Sequence, residues 1–184
     1  VTDDSETEDT EAEESEDVVK KDGNVTPGNT YATAAAINVN TPYAAATSVK
    51  SITHWYKFTL SKAGMVQLNF AHAKLSDSSN TPAWKIDFIA DKVGGMVSIE
   101  SGLQDTEKRT AKIGLEAGTY YVQITGVDTV FVKQSYNYVF NISYEDTYCE
   151  TEQNDSISTA DNYTLGQTVT GSIHSLIDGD VDYY

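Results

Sequence analysis

The sequence has little with which to build a disulfide framework, a membrane span or a nucleic-acid interface. Cys149 is the only cysteine, so an internal disulfide is excluded. No apolar run approaches the roughly 18 residues that a membrane-spanning helix needs. The chain has 12 Lys and Arg against 28 Asp and Glu, a net charge of −16. That balance argues against nucleic acid as a partner, because phosphates require a basic surface.

The common catalytic motifs are also missing. The three histidines show no HExxH or HxH spacing, so a zinc site is not indicated. No GxSxG nucleophile motif occurs. Cys149 lies in an acidic stretch, which should raise the pKa of its thiol and make it a poor nucleophile. We therefore predict that this chain is not an enzyme, although a longer parent polypeptide could include one.

Acidic residues are concentrated at the N-terminus. Residues 1–22 contain eleven Asp or Glu and two Lys, so they contribute −9 of the net charge of −16. So few apolar side chains cannot offset the entropy of ordering the chain. We predict a disordered acidic leader over residues 1–23 that acts as a soluble tether; the alternative is a specific contact with cationic partners or metal ions.

From Thr33 onward, apolar and polar residues alternate with period two, which is typical of half-buried strands. HWYKFTL (54–60) and MVQLNF (65–70) are predicted to form a hairpin. WKIDFIAD (84–91), GTYYVQITG (118–126) and YNYVFNISY (136–144) alternate in the same way. Seven or eight such strands with frequent turn signals predict an all-β fold, an antiparallel β-sandwich of jelly-roll-like type.

Two segments have weaker patterns. TEKRTAKIGL (106–115) is charged enough to be an edge strand guarded by Lys and Arg. YATAAAI (31–37) is the only stretch that allows a short helix. We predict that residues 24–146 form one complete domain.

The end of the chain partly repeats the start of this domain. NTYATAAAINVNTPYAAATS (29–48) aligns with NDSISTADNYTLGQTVTGSI (154–173), and HWY (54–56) aligns with DYY (182–184). The alignment predicts that residues 147–184 are the truncated start of a second copy. Because an isolated two-stranded hairpin is marginal in water, we expect this segment either to be disordered or to add to the edge of a sandwich.

The same strings carry a family resemblance. ETEQNDSISTA followed by DGDVDYY resembles the start of a bacterial pre-peptidase C-terminal domain, and LEAGTYYVQITG followed by SYNYVFNISY resembles the end of one. These β-sandwich modules are appended to secreted peptidases and other surface proteins, and the collagen-binding domains of clostridial collagenases are similar to them. The resemblance implies one complete copy and the first third of a second.

The resemblance also implies a calcium site in the second copy. Acidic and Asn side chains of the N-terminal segment meet aspartates just before the aromatic pair in calcium-binding members, and oxygen ligands suit Ca²⁺. The matching positions are Glu150, Glu152, Asn154, Asp155, Asp180 and Asp182, with Asp178 as a spare. The alternative is a solvated acidic linker without bound metal, and any affinity of this short segment should be weak.

The first copy departs from this pattern, since Asn29 remains but Thr30 and His54 stand where the second copy has Asp155 and Asp182. We expect no calcium site there. Trp55 and Tyr121 lie opposite the apolar faces of their strands. They are candidates for an exposed platform that stacks on a sugar or a peptide; the alternative is that a loop or the second sheet covers them.

These observations favour a non-catalytic accessory or binding module of an extracellular or cell-surface bacterial protein. Its expected partners are a polysaccharide, an extracellular matrix protein or an adjacent domain, with no nucleic acid and no membrane span. The alternative is a purely structural spacer of a surface protein. Part of a secreted peptidase is a third possibility.

Overall fold

The computed structural model describes residues 23–47, 53–90, 94–127, 135–152, 154–171 and 181–184. The predicted acidic leader lies outside these residues except for Gly23. The described ranges contain one turn of 3-10 helix, η1 (Tyr31–Thr33). The strands are β1 (Ala35–Ala36), β2 (Tyr43–Thr47), β3 (Thr53–Leu60), β4 (Gly64–His72), β5 (Pro82–Ala90), β6 (Gly94–Gly102), β7 (Glu107–Arg109), β8 (Ile113–Leu115), β9 (Gly118–Gly126) and β10 (Tyr136–Glu145).

The strands form two sheets. The first sheet has the order β1-β3-β9-β5-β6, and the second has the order β2-β10-β4-β7, with β8 also paired to β4. Among these pairs only β1 and β3 run parallel. The predicted all-β antiparallel sandwich is therefore confirmed.

The predicted hairpin of β3 and β4 is wrong. β3 pairs with β9 in the first sheet, whereas β4 pairs with β10 in the second. The short connection between them thus passes from one sheet to the other. Period-two alternation shows only that one face of each strand is buried, and the two inner faces of a sandwich produce the same pattern.

The core consists of alternate side chains from both sheets. Tyr56 and Phe58 of β3 and Trp84 of β5 meet Phe70 of β4 and Phe140 of β10, and each is at most 2% exposed. Burial of each such side chain contributes about 1.5–3 kcal/mol. The inward direction of these residues agrees with the alternation in the sequence.

The two weakly patterned segments become short elements. The charged 106–115 segment forms β7 and β8, which both pair with β4 at the edge of the second sheet, as its charges predict. YATAAAI does not form an α-helix: a single 3-10 turn is followed by β1. No described helix has the length and apolar character of a membrane span.

The chain beyond β10 returns to the sandwich. Leu115 of β8 forms a parallel bridge with Glu152, and the amide of Glu152 donates to the carbonyl of Gly114 at 2.9 Å. A Cβ atom on Gly114 would overlap the carbonyl oxygen of Glu150, so glycine permits this close approach. Residues 150–152 thus lie against β8 at a sheet edge, as in the second of the two arrangements expected for the 149–184 segment.

Candidate functional site

Three of the predicted calcium ligands come together beside β8. Glu150, Glu152 and Asp182 each place a carboxylate oxygen within 4.8 Å of the other two. Glu150 is only 1% exposed, and the other two are half-buried. Three carboxylates at this distance repel one another unless protons, donors or a cation compensate them.

Backbone hydrogen bonds hold the C-terminal tail against this segment. The amide of Tyr183 donates to the carbonyl of Asn154 at 3.2 Å, and the amide of Asp161 donates to the carbonyl of Tyr183 at 3.1 Å. These bonds bring Asp182 to Glu150 and Glu152. The cluster therefore depends on the folding back of residues 181–184.

Tyr184 also belongs to this cluster. In the sequence it is only the last residue of the DGDVDYY motif and is not a predicted ligand. Its hydroxyl donates a short hydrogen bond to Oε2 of Glu150 and lies 3.5 Å from Oδ2 of Asp182. The hydrogen bond to Glu150 raises the pKa of Tyr184 well above its ordinary value, because it stabilises the protonated phenol. This neutral donor partly compensates the carboxylates.

Asn154 is buried in the same segment with a polar side chain that lacks a partner. It is 0% exposed, and neither its Oδ1 nor its Nδ2 makes a hydrogen bond in the described part of the chain. An unsatisfied buried amide costs about 1–3 kcal/mol, and coordination of a cation by Oδ1 would remove part of that cost. Carboxylate and amide oxygens without nitrogen or sulfur ligands fit Ca²⁺.

The remaining predicted ligands are Asp155 and Asp180, with Asp178 as the spare. Asp155 is exposed and is not part of the three-carboxylate cluster. Asp180 and the spare Asp178 lie outside the described residues. Asp161, which the sequence analysis did not single out, accepts from the amide of Thr151 at 2.6 Å and from its hydroxyl at 2.9 Å. Asp161 therefore orders the ligand-bearing backbone; no sequence signal distinguished it from the other acidic residues.

The cluster borders an acidic cleft of about 750 Å³. Cys149 lines this cleft, and burial, reinforced by Asp161 and Glu150, raises the pKa of its thiol to about 11. The raised pKa predicted from the acidic surroundings is confirmed, although burial is the larger cause. The thiol is protonated at neutral pH and is a weak nucleophile.

Trp55 and Tyr121 lie close together on the outer face of the first sheet. Tyr121 is the register partner of Lys57, two residues after Trp55. The ring of Tyr31 stacks on Tyr121 at a centroid distance of 4.1 Å and meets Trp55 edge-on at 5.8 Å. Trp55 and Tyr121 are half-buried, whereas Tyr31 is 41% exposed. Tyr31, the first residue of η1, thus partly covers both candidates and joins them in an aromatic cluster.

Local bonds hold Tyr31 in place. The backbone of Gly28 exchanges two hydrogen bonds with that of Trp55, at 3.1 and 2.9 Å. Thr30 and Thr33 form a reciprocal capping box around η1. The aromatic cluster (Tyr31, Trp55 and Tyr121) is therefore preorganised.

His54, which matches Asp182 in the alignment, lies in the interior. It is 4% exposed, and its Nδ1 is 2.6 Å from the hydroxyl of Tyr138. Burial lowers the pKa of His54. His54 therefore takes part in a buried hydrogen bond between the sheets.

No protein-family model and no curated protein matches the chain. Among solved structures, the pre-peptidase C-terminal domain of a collagenase from Bacillus anthracis is similar, with 14% identity and a TM-score of 0.44, over 59% of this chain and 93% of that one. The chain resembles a pre-peptidase C-terminal domain. PliG of Aeromonas hydrophila, a periplasmic inhibitor of g-type lysozyme, is also similar, with 14% identity and a TM-score of 0.37, over 60% of this chain and 96% of that one. Neither comparison supports the second copy.

Proposed function

We propose that the chain is a non-catalytic accessory module of an extracellular or cell-surface bacterial protein, and that Ca²⁺ fixes its C-terminal segment to the sandwich. The observation that carries this proposal is the carboxylate cluster together with the buried, unsatisfied amide of Asn154, whose backbone carbonyl accepts from the amide of Tyr183, next to Asp182. A divalent cation there would relieve the repulsion among Glu150, Glu152 and Asp182. Asp155 and Asp180 remain proposed ligands on the family resemblance alone.

Repeated local geometry supports the proposal that residues 147–184 begin a second domain copy. The amide of Thr30 donates to Oγ1 of Thr33 at 3.1 Å, and the amide of Ser156 donates to Oγ1 of Thr159 at 3.2 Å. In both turns the amide of the fourth residue, Thr33 or Thr159, donates a hydrogen bond to the carbonyl of the first residue. These equivalent turns occur 126 residues apart, close to the offset of 125 in the sequence alignment.

Thermal unfolding in CaCl₂ and in EGTA tests the calcium proposal. The affinity should be in the weak range of extracellular modules, about 10⁻⁴–10⁻³ M. At ten times the dissociation constant, Ca²⁺ should raise the melting temperature by about 3 to 6 °C. Glu152→Gln should remove this increase, whereas Glu100→Gln on the exposed face of β6 should retain it. An unchanged melting temperature across millimolar Ca²⁺ would contradict the proposal.

The two best candidate nucleophiles are Cys149 and Ser101. The protonation of Cys149 and the burial of Ser101 support a non-catalytic role. The thiol of Cys149 is protonated at neutral pH because its pKa is raised. The hydroxyl of Ser101 lies 2.7 Å from Nε2 of His72, but Ser101 is 0% exposed. A substrate therefore has no access to this Ser–His pair in the folded chain.

A second proposed function is polymer binding through the aromatic cluster. Its support is the exposed ring of Tyr31, held on Tyr121 and Trp55 in an orientation suited to stacking on a sugar or a peptide. A glycan and matrix-protein array probed with the chain and with Tyr31→Ala is the direct test. Signals lost in the variant would support this function, and an array without signals would favour the spacer alternative.

A further inference from the structure

The outer face of the second sheet carries a row of polar side chains across three neighbouring strands. Asn69 of β4 is the register partner of Arg109 on β7 and of Asn141 on β10. One step along, Gln67 and Ser143 form the next outward pair. This row faces away from the core and lies on the opposite side of the sandwich from the aromatic cluster.

Hydrogen bonds within the row fix the orientation of the amides. Nδ2 of Asn69 donates to Oδ1 of Asn141 at 2.8 Å, and Nε2 of Gln67 donates to the carbonyl of Thr110 at 2.8 Å. Oδ1 of Asn69, Nδ2 of Asn141 and Oε1 of Gln67 make no hydrogen bond in the described part of the chain. Two acceptors and one donor are thus held in place for a ligand.

These groups line a groove of about 430 Å³, within the range of about 300–1,000 Å³ typical of ligand sites. Val139 and Ala71 are also among the lining residues. Val139 is 44% exposed and gives the groove an apolar surface. The side chain of Arg109 is 61% exposed and lies 3.6 Å from that of Glu107. This surface pair is weak, so the guanidinium donors of Arg109 are accessible from the groove.

We propose that this groove, formed by Gln67, Asn69, Arg109, Val139 and Asn141, binds a neutral glycan. A sugar hydroxyl both donates and accepts, and side-chain amides held in one orientation match that chemistry. The C–H face of a sugar ring packs on an apolar side chain such as Val139. The site is distinct from the carboxylate cluster and from the aromatic cluster.

Charge and shape favour this ligand over two others. A polyanionic glycan would be repelled by the net charge of −7 on residues 24–184, beyond the acidic leader. Extended peptides bind through a sheet edge or through deep apolar anchor pockets, whereas this groove lies on a sheet face and its strongly exposed apolar surface is limited to Val139 and Pro42. The favoured occupant is therefore uncharged and rich in hydroxyl groups.

Side-chain amide NMR of the full chain provides the test. Cellohexaose, xylohexaose, mannohexaose, maltohexaose and chitohexaose would be titrated separately into the ¹⁵N-labelled protein. At least one should shift the NH₂ signals of Asn69 and Asn141 saturably. Asn141→Ala and Arg109→Ala should each weaken that binding about five- to tenfold, the effect of one lost hydrogen bond.

Asn137→Ala is the matched control. Asn137 lies on the same strand and face as Asn141 but outside the groove, so this variant should bind as the parent does. Because Arg109 is exposed and lies at a sheet edge, Arg109→Ala should keep the parent melting temperature. The proposal is overturned if none of the five sugars shifts these amides at about millimolar concentrations. It is also overturned if the shifts occur only at Trp55 and Tyr121, or if a proline-rich peptide shifts the groove amides and no sugar does.

Discussion

His54 and Tyr138 join the two sheets through a buried hydrogen bond of 2.6 Å between Nδ1 and the phenolic hydroxyl. The same hydroxyl lies 2.6 Å from that of Tyr56. His54 and Tyr56 belong to β3 and Tyr138 belongs to β10, so a polar chain crosses the core. Burial raises the pKa of both tyrosines and lowers that of His54. All three groups are therefore neutral near pH 7.

Tyr138→Phe should lower the free energy of unfolding by about 2–3 kcal/mol. The substitution keeps the ring but removes a hydroxyl that serves two buried polar groups, whose desolvation is then uncompensated. Urea unfolding of the variant and the parent measures the difference. Tyr144→Phe on the same strand is the control, since the hydroxyl of this half-buried residue makes only long bonds of 3.3 and 3.5 Å; equal losses in both variants would contradict this account.

Stability should fall as the pH decreases from about 7 to 5. Burial lowers the pKa values of His54 and His72 in the folded chain below 6.5, so the unfolded chain binds more protons in this window. The free energy of unfolding then decreases by up to about 1.4 kcal/mol per pH unit for each histidine. Asp105, whose pKa is lowered chiefly by the amide of Gly102, titrates below this window.

Chemical denaturation at pH 7.5, 6.5, 5.5 and 5 measures this dependence. His72→Gln should reduce its slope, because one of the two titrating groups is removed. A parent protein that is equally stable at pH 7.5 and 5 would show that the two histidines accept protons as readily in the folded state as in the unfolded state.

Gly114→Ala should separate the carboxylate cluster of Glu150, Glu152 and Asp182 from the sandwich. A Cβ atom at this position overlaps the carbonyl oxygen of Glu150, so the 149–152 segment has to move away from β8. We expect a loss of about 1–3 kcal/mol and a loss of the calcium-dependent rise in melting temperature. Gly118→Ala is the control, because its nearest neighbour would be at an ordinary 3.5 Å; a normal calcium response in Gly114→Ala would contradict the proposed docking.

The predicted domain of residues 24–146 should unfold cooperatively as an isolated fragment. It contains all ten strands of the described sandwich but lacks Glu150, Glu152 and Asp182. Its melting temperature should therefore be insensitive to Ca²⁺, unlike that of the full chain. Calorimetry of the fragment with and without CaCl₂ checks both statements, and a broad transition without a heat-absorption peak would place the boundary elsewhere.

The alternation of side chains by itself determined which residues face the core. The period-two pattern of their segments places Tyr56, Phe58, Trp84, Phe70 and Phe140 on the apolar faces, because consecutive side chains of a strand point to opposite sides. The family resemblance predicted oxygen ligands at positions 150, 152, 154, 155, 180 and 182, and the structure brings three of these side chains together, at 150, 152 and 182.

Only the tertiary structure decided which strands are neighbours. β3 and β4 are adjacent in sequence but belong to different sheets, and Arg109, Asn69 and Asn141 share a row although up to 72 residues separate them. The contacts of the Tyr31 ring with Trp55 and Tyr121 likewise join residues that are far apart in the sequence. Strand pairing depends on the packing of whole faces and on register between distant segments, whereas the period of a strand records only its own burial.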